Sequence, residues 1–312
     1  MKILLGSCGG LTGLYIAKRF MNKYEVIGFD NNINTATRKF ISNIYASPSY
    51  NLEDQFIKFL IELLNKENID IYIPTYSKEI WLVSKYSDKI VKESKAKFLV
   101  SPFNTMTSLE NKENAYRILS KYKIDTPKIF NNSNEITKFP IYAKPKVGSG
   151  SKQNYIVNHI KEWEYLCAKY SELFVMEYLN GIEFTADLFF NKRGQIVDYN
   201  QRERIKTVAG AAVTTKNNYS ILIEDYLSII QDNFQIFGPA NIQFIALSNG
   251  RRVLTDINLR MPSGGMPLSV ESGLDIPQMI INECIGLPLE HFHTDRKPRV
   301  MYRYYEEYFV EL

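Results

Sequence analysis

The chain has 312 residues, of which 45% are hydrophobic and 23% are charged, and its formal net charge at pH 7 is +4. A chain of this length and composition can bury a large core, and we expect it to form two or three domains or lobes. The charge is small and spread along the chain without a dense basic run, which argues against a nucleic-acid-binding protein.

The cysteines and the first residues indicate a soluble cytoplasmic protein. Cys8, Cys167 and Cys284 are odd in number and lack the spacing of a metal or redox motif, so we expect reduced thiols. The apolar run at residues 1–5 is too short for a signal peptide or a membrane span, and Gly6 ends it.

The first hundred residues alternate between short apolar strands and amphipathic helices, which is typical of a small parallel α/β domain. The predicted strands are Lys2–Leu5, Glu25–Phe29, Ile69–Pro74 and Phe98–Ser101, and the predicted helices are Leu14–Met21 and Glu53–Asn65.

A glycine-rich segment, Gly6–Gly13, joins the first strand to the first helix, and Asp30 ends the second strand. The arrangement is close to a dinucleotide-binding fingerprint, in which glycines admit a pyrophosphate and an acid binds ribose. The spacing departs from that fingerprint, and a tight turn from strand to helix also needs glycines. An NAD-dependent oxidoreductase is therefore one alternative, and a plain tight turn is the other.

A lysine inside an apolar strand is the next feature. A helix is predicted at Asn104–Tyr122, with Lys112 in an exposed stretch, and a strand follows at Ile141–Lys146. That strand contains Lys144 and leads into the Gly/Ser-rich residues 147–152. An ammonium group and loop N–H groups can converge there on phosphate oxygens, although a hairpin turn between solvated lysines would have the same sequence.

An apolar strand at Leu173–Leu179 ends abruptly, and Gly181–Glu183 opens another strand at Phe184–Phe190. The backbone of a strand that stops can contact the edge of a purine, and a nearby carboxylate can hold ribose hydroxyls. These residues suit a nucleotide pocket.

A β-hairpin is predicted near residue 250. Strands at Asn241–Leu247 and Val253–Leu259 flank Asn249-Gly250, the preferred pair of a two-residue turn. Counting back from this turn places Gln243 opposite Asp256.

Asn258 shares the face of Asp256 and lies opposite Asn241, because side chains alternate along a strand. The other face carries Ile242, Phe244, Val253 and Ile257. The polar face offers oxygen ligands, which suit Mg²⁺ or Mn²⁺ better than zinc. A solvated polar edge is the alternative.

Two C-terminal features are interpreted as structural. His291 and His293 have the spacing of one strand face but lie between prolines and lack a third ligand, so a surface loop is expected. The tyrosine-rich stretch Met301–Val310 alternates like a terminal strand whose aromatic side chains pack and protect an edge.

The order of these motifs resembles the ATP-grasp enzymes, and among them the synthetase domains of the carbamoyl phosphate synthetase large subunit. The resemblance covers nearly the whole chain. It rests on Ile73–Glu79, Lys112, Lys144 with Gly148–Gly150, Met176–Glu183, and Gln243 with Asp256–Arg260.

The resemblance implies ATP and Mg²⁺ (or Mn²⁺) as cofactors and assigns a role to each motif. The implied metal ligands are Gln243, Asp256 and Asn258, with Arg260 and Arg204 as catalytic residues. The implied nucleotide-binding residues are Lys112, Lys144, Gly148, Ser149, Gly150, Ser151, Glu177, Tyr178, Leu179 and Glu183. In detail, the lysines would contact phosphates, Glu177 and Leu179 would meet adenine through their backbone, and Glu183 would hold the ribose.

Aspartate replaces the glutamate usual in the family at position 256, so the metal site has one carboxylate and the number of metal ions stays open. Residues 148–152 and 207–211 are predicted lids. Arg202, Arg204 and the segment Met261–Gly265 are candidates for binding a carboxylate substrate.

We therefore predict an α/β leading domain followed by a two-lobed α+β ATP-grasp fold. The predicted boundaries are 1–103 for the leading domain, 104–180 for linker helices and a small central lobe, and 181–312 for the metal-binding lobe.

The function that the resemblance implies is an ADP-forming ligase joining a small-molecule carboxylate to an amine through an acyl phosphate. Alternatives are carbamoyl-phosphate-synthetase-like phosphorylation, a non-catalytic ATP-binding protein and the oxidoreductase above. No nucleic-acid or membrane partner is expected, and homo-oligomerisation stays open.

Overall fold

The computed structural model of the chain describes residues 1–146, 153–170, 173–208 and 210–309. Within these residues three β-sheets follow one another along the chain, one parallel and two antiparallel. This architecture matches the predicted fold class.

The N-terminal sheet is parallel, with helices in its connections. Its strands and helices are β1 (Lys2–Leu5), α1 (Leu11–Phe20), β2 (Glu25–Asp30), β3 (Ile44–Ala46), α2 (Glu53–Lys66), β4 (Ile71–Ile73), α3 (Ser77–Lys85) and α4 (Ser87–Glu93). The strand order is β3-β2-β1-β4, as a parallel α/β unit requires.

The predicted strand at Phe98–Ser101 is wrong. A single bridge, from Ile71 to Lys97, is present there, and the chain then leaves the sheet edge. The Ser101 hydroxyl instead donates to the Phe237 carbonyl at 3.2 Å, so a tertiary contact takes the place of strand pairing.

The glycine-rich loop before α1 is held by its own contacts. Asp30 accepts hydrogen bonds from the backbone N–H groups of Gly9 at 2.9 Å and Asn32 at 3.0 Å. A Cβ atom at Gly13 would lie 2.5 Å from the backbone of Cys8, so α1 can pack on the loop only through a glycine. The loop geometry thus accounts for Asp30 and Gly13 without a dinucleotide.

Helix α5 (Phe103–Glu110) and helix α6 (Lys112–Lys121) replace the single helix that the sequence predicted. Asn111 breaks the run because its side chain accepts the N–H of Asn114 at 3.0 Å and caps α6. As a result, Lys112 is the first residue of α6 instead of lying in an exposed stretch, and its side chain is only 16% exposed.

The second sheet is small and antiparallel. Its elements are β5 (Ile129–Phe130), β6 (Ile141–Pro145), β7 (Tyr155–Val157), α7 (Ile160–Lys169) and β8 (Leu173–Glu177). The strand order is β5-β8-β6-β7, so the lysine-bearing β6 lies in the interior of the sheet beside β8.

The third sheet has six strands in the order β13-β12-β9-β10-β11-β14. Its elements are β9 (Gly181–Phe190), β10 (Ile196–Val208), β11 (Ala211–Asn217), α8 (Glu224–Asn233), β12 (Gly238–Leu247), β13 (Arg252–Asn258), α9 (Met266–Glu271), α10 (Ile276–Ile285) and β14 (Val300–Tyr302).

The β12–β13 hairpin has the predicted pairing of Gln243 with Asp256, but it reaches this register differently. The loop has three residues instead of two: Leu247 donates to the Arg251 carbonyl at 2.9 Å, and Gly250 has a φ of +86°. A β-bulge at Thr255 then restores the predicted register, since it adds one residue on β13.

The bulge also changes which side chains share the apolar face. Leu254, and not the predicted Val253, joins Ile242, Phe244 and Ile257 in one buried cluster. The strict alternation assumed from the sequence is broken at the bulge, so the prediction for Val253 is wrong.

The N-terminal sheet and the last helices share one hydrophobic core. Ile3 and Ile73 of the parallel sheet pack in the same buried cluster as Ile276, Met279 and Ile280 of α10. The first and third sheets are therefore joined by apolar packing, with no solvent layer between them.

The C-terminal stretch forms a shorter strand than predicted. β14 pairs with β11, but the strand ends at Tyr302, and Tyr304, Tyr305 and Phe309 are at least 78% exposed. Val310 lies outside the described residues. The loop with His291 and His293 is exposed, as expected.

No helix in the described ranges has the length and apolar character needed to cross a membrane. The predicted domain boundaries stay a proposal. The first falls after Phe103, the first residue of α5, and the second falls between β8 and β9.

The glycine loop gives a stability prediction with a matched control. Gly13→Ala should lower the free energy of unfolding by about 1–3 kcal/mol, because the new methyl group meets rigid backbone. Gly10→Ala should lower it by less, about 0.5–1 kcal/mol, because its new Cβ would lie 3.9 Å from the nearest non-neighbouring atom and only the N-cap preference of α1 for glycine over alanine is lost. Urea unfolding measures both, and equal effects would contradict the packing role of Gly13.

Candidate active site

A cavity of about 280 Å³ lies between the small sheet and the β12–β13 hairpin. The residues that the sequence singled out come together around it from six separate segments of the chain. Those that line it are Lys112, Lys144, Glu177, Tyr178, Leu179, Glu183, Arg204, Gln243, Asp256, Asn258 and Arg260. The predicted loop residues Gly148, Ser149, Gly150 and Ser151 lie outside the described residues.

The oxygen-bearing face of the hairpin is linked by hydrogen bonds. The Asn258 amide donates to Asp256 Oδ2 at 3.2 Å and to Asn241 Oδ1 at 3.2 Å. The side-chain oxygen of Asn258 has no hydrogen-bond partner among the described residues. Gln243 stands directly across the strand from Asp256.

Asp256 is a carboxylate surrounded by cations. Burial alone raises the pKa of a carboxyl group, but Lys112, Lys144 and Arg260 together with the Asn258 amide hold the pKa of Asp256 below its usual value. Lys112 Nζ lies 3.5 Å from Asp256 Oδ1. Asp256 is therefore ionised at neutral pH and available as a ligand.

The donor set of Gln243, Asp256 and Asn258 fits Mg²⁺ or Mn²⁺. These three residues could supply oxygen ligands from one face, and a magnesium ion completes its shell with waters and phosphate oxygens. The described residues contain no cluster of three or more His, Cys, Asp or Glu that could hold a metal, so a zinc-type site is not present among them.

Lys144 connects the small sheet to the hairpin. Its ammonium group donates to Tyr116 Oη at 2.6 Å and to the Thr255 carbonyl at 3.3 Å. The Tyr116 hydroxyl donates to the same carbonyl at 2.6 Å. Burial lowers the pKa of Lys144 to about 8. Thr255 is the extra residue of the bulge, so the bulge presents this acceptor.

Arg204 binds three acceptors at the cavity wall. Its Nη1 donates to Glu183 Oε1 at 2.8 Å and to Gln243 Oε1 at 3.0 Å, and its Nη2 donates to the Gly210 carbonyl at 2.8 Å. Glu183 and Gln243, assigned to ribose and metal, are thus held in place by one guanidinium. Of the predicted lid at 207–211, residue 209 lies outside the described residues.

Arg251 fixes the end of strand β8 against the hairpin. It forms paired contacts with Asp125 at 2.9 and 3.0 Å and with Glu177 at 2.9 and 3.1 Å. The Glu177 N–H donates to the Lys128 carbonyl, so a backbone contact of Glu177 with a base has to come from its carbonyl oxygen. The Leu179 N–H has no partner within the described ranges.

Arg260 lies where three cavities meet. It lines the cavity above, a second of about 440 Å³ beside α3 and α5, and a third of about 500 Å³ beside the glycine-rich loop. Its Nη1 donates to the Met261 carbonyl at 3.1 Å, and its other N–H groups have no partner among the residues described. Burial lowers the pKa of this guanidinium, which still carries its charge.

The prediction that Arg202 binds a carboxylate substrate is wrong. Its side chain is 6% exposed, and its Nε and Nη2 donate to Asp187 at 2.8 and 3.1 Å. Asp187 occupies these two nitrogens, and Nη1 is buried without a partner among the described residues, so none of them is exposed to a ligand. Ser263, from the predicted segment Met261–Gly265, does line the third cavity.

Sequence reasoning missed Tyr116, Thr255 and Arg251. Tyr116 lies four residues after Lys112 and so on the same face of α6, which was a usable signal. The role of Thr255 depends on a bulge, and the role of Arg251 depends on the three-residue loop, neither of which the sequence revealed.

A family model described as ATP-grasp in the biosynthetic pathway with Ter operon matches residues 169–307. This segment contains β9 to β14 and therefore the hairpin. No curated protein matches the chain.

Solved structures match over nearly the whole chain. N5-carboxyaminoimidazole synthetase from Staphylococcus aureus, complexed with ADP, has a TM-score of 0.74 at 16% identity and covers 96% of this chain and 81% of its own. L-amino acid ligase from Bacillus licheniformis has a TM-score of 0.70 at 17% identity, with 93% and 75% covered.

Biotin carboxylase from Campylobacter jejuni, in a beta-gamma-ATP complex, has a TM-score of 0.71 at 14% identity, with 92% and 72% covered. At these identities the matches establish the fold. The finer resemblance to carbamoyl phosphate synthetase stays a prediction. The chain has the ATP-grasp fold that the sequence predicted, and its C-terminal part matches an ATP-grasp family model.

Proposed function

We propose that the protein is an ATP-dependent, ADP-forming ligase that joins a carboxylate to an amine through an acyl phosphate. The observation that carries this proposal is the convergence of Lys112, Lys144 and Arg260 on Asp256 at one cavity. Cations around an ionised metal ligand suit the transfer of a phosphoryl group.

ATP would lie in the cavity between the small sheet and the hairpin. Its phosphates would meet Lys112 and Lys144, and Mg²⁺ would join them to Gln243, Asp256 and Asn258. The base would lie against the end of β8, at Glu177, Tyr178 and Leu179, with the ribose near Glu183. When bound, the metal would neutralise phosphate charge and polarise the γ-phosphate.

The reaction would then proceed in two steps. A carboxylate oxygen of the acid attacks the γ-phosphorus, the bond from phosphorus to the bridging oxygen breaks, and ADP leaves. The amine next attacks the acyl carbon, phosphate departs, and the amine loses a proton. Arg260 is placed to stabilise the charge of the transferring phosphoryl group.

The similar structures are those of a synthetase, a ligase and a carboxylase, which supports ATP-dependent bond formation as the class of reaction. One observation favours a second candidate, a non-catalytic ATP-binding protein: among the three proposed metal ligands Asp256 is the sole carboxylate. Turnover of ATP separates the two.

Removing the charge of the metal ligand tests the site. Asp256→Asn should leave the protein folded and lower Mg²⁺-dependent ATP turnover by at least about a hundredfold, because one preorganised charge is lost. Asp232→Asn, at an exposed position of α8, is the control and should keep full activity. Thermal melting and ADP release would be measured together, and a folded, fully active Asp256→Asn would remove this site from the proposal.

The lowered pKa of Lys144 gives a pH prediction. The ammonium form binds phosphate, so ATP affinity should be highest below pH 8 and should fall up to about tenfold per pH unit above it. Because ATP raises this pKa again, binding near pH 8.5 should take up a proton. Calorimetry in two buffers of different ionisation enthalpy measures that uptake.

Lys144→Arg is the matched control, since its guanidinium stays charged over this range. Its ATP affinity should vary little from pH 7 to pH 9.5. The same pH profile in wild type and Lys144→Arg would show that Lys144 is not the titrating group.

The fate of the phosphates tests the mechanism. Each bond formed should release one ADP and one phosphate, and hydroxylamine in place of the amine should trap the acyl phosphate as a hydroxamate. Arg260→Ala should lower kcat by about 10²–10³ with a smaller change in the KM for ATP, and Arg260→Lys should recover part of the loss. AMP as the nucleotide product would rule the mechanism out.

A further inference from the structure

The second cavity, of about 440 Å³, opens from the proposed phosphate site. It shares Lys112, Asp256, Asn258 and Arg260 with the nucleotide cavity. One end of the second cavity is therefore the cationic region where the phosphoryl group would be transferred. A ligand there would place one end against Arg260 and extend away from ATP.

The rest of this cavity has a different chemistry. Away from the shared residues its wall is formed mainly by α3 and α5, with the apolar side chains of Ile80, Trp81, Met106 and Leu109. The charged side chains of Glu53, Lys78 and Glu110 also line this cavity. The apolar part of the wall binds an apolar group by excluding water.

The aromatic wall is fixed in place. The Trp81 ring packs edge-on against Phe103 with centroids 4.9 Å apart, and Lys85 Nζ lies 5.1 Å from its centroid. Lys85 is itself held by Glu53 at 2.6 Å. A wall that is ordered before binding reduces the entropy cost of taking up a ligand.

We propose that the second cavity is the subsite for the acid that is phosphorylated, and that this acid carries an aromatic or branched aliphatic body. The inference rests on the proposed function and names its substrate class. The carboxylate would contact the free N–H groups of Arg260, and the body would lie between Trp81 and Met106. The volume suits a body about the size of an aromatic side chain.

The third cavity is the alternative location for the acid substrate, and its lining is polar. Ser7, Thr12, Asp30, Thr75 and Ser77 contribute hydroxyl and carboxylate groups to its wall. An apolar body there would displace water from the Asp30 carboxylate and from the Thr12 hydroxyl, which has no partner among the described residues, and this desolvation has a cost. The third cavity therefore suits a polar substrate such as the amine.

The chain offers a direct optical readout of this subsite. It contains two tryptophans, and Trp163 lies in the core of the small sheet. In a Trp163→Phe variant the emission would come from Trp81 alone. If that variant fails to fold, the difference between wild type and Trp81→Phe isolates the same signal.

The probes are 3-phenylpropanoate, its neutral amide and acetate. We expect a saturable change in Trp81 emission with 3-phenylpropanoate, at least tenfold weaker binding of the amide, and no change with acetate at the same concentration. The amide tests the charge at Arg260, and acetate tests the need for the apolar body.

Two variants locate the binding. Met106→Glu places a carboxylate in the apolar wall and should weaken binding of 3-phenylpropanoate at least tenfold. Val91→Glu, at a position on α4 that is 64% exposed and outside the cavity lining, is the control and should leave binding unchanged. Absence of a saturable response in folded protein, or a response that Met106→Glu does not weaken, would overturn the proposed subsite.

The experiments test the proposed subsite and the proposed ligase function separately. Binding of 3-phenylpropanoate at Trp81 without ATP turnover by any acid supports the subsite and contradicts the ligase. Hydroxamate formation from small polar acids, with no emission change from apolar acids, supports the ligase and contradicts the subsite.

Discussion

The candidate site depends on the attraction between one carboxylate and the three cations around it. Asp256 lies beside Lys112, Lys144 and Arg260, and without its carboxylate these cations would repel one another in a partly buried region. The three cations lie on α6, on β6 and at the second residue after β13, so their attraction to Asp256 also holds these parts of the fold together. All three cations line the proposed phosphate site, and Asp256 opposes the burial that lowers the pKa of Lys144 and of Arg260. The charged side chains that are proposed to bind the nucleotide therefore also stabilise the cavity in which it would lie.

A single backbone irregularity connects these charged groups to the sheets. The bulge at Thr255 displaces one carbonyl of β13, which then accepts hydrogen bonds from both Tyr116 and Lys144. On the far side of the same strand pair, Arg251 ties the hairpin to Glu177 at the end of β8. The small sheet thus contacts the hairpin through Lys144 and through Glu177.

The sequence was a good guide where local chemistry decides the structure and a poor one where tertiary contacts decide it. Short-range signals led to the parallel sheet, the hairpin and the pairing of Gln243 with Asp256, and the motif order led to the fold. That pairing was reached through two errors that cancel, a loop one residue too short and an unrecognised bulge. The break at Asn111 carried its own signal, an asparagine able to cap a helix, which the periodic pattern around it concealed. Arg202 was assigned wrongly because its partner Asp187 lies 15 residues earlier, on the neighbouring strand β9, and the pairing of β9 with β10 was not predicted.

The core shared by β1, β4 and α10 has a consequence for how the chain can be divided. Ile3, Ile73, Met279 and Ile280 bury one another, so a fragment that begins after the parallel sheet would expose the apolar side of α10 to water. Such a fragment would be expected to aggregate, even though it contains the hairpin and every proposed nucleotide contact. Helix α3, which follows β4 of the parallel sheet, also contributes Trp81 to the wall of the second cavity. A binding pocket for a different substrate could therefore be made by substituting side chains on α3 and α5, while the residues proposed to bind ATP stay unchanged.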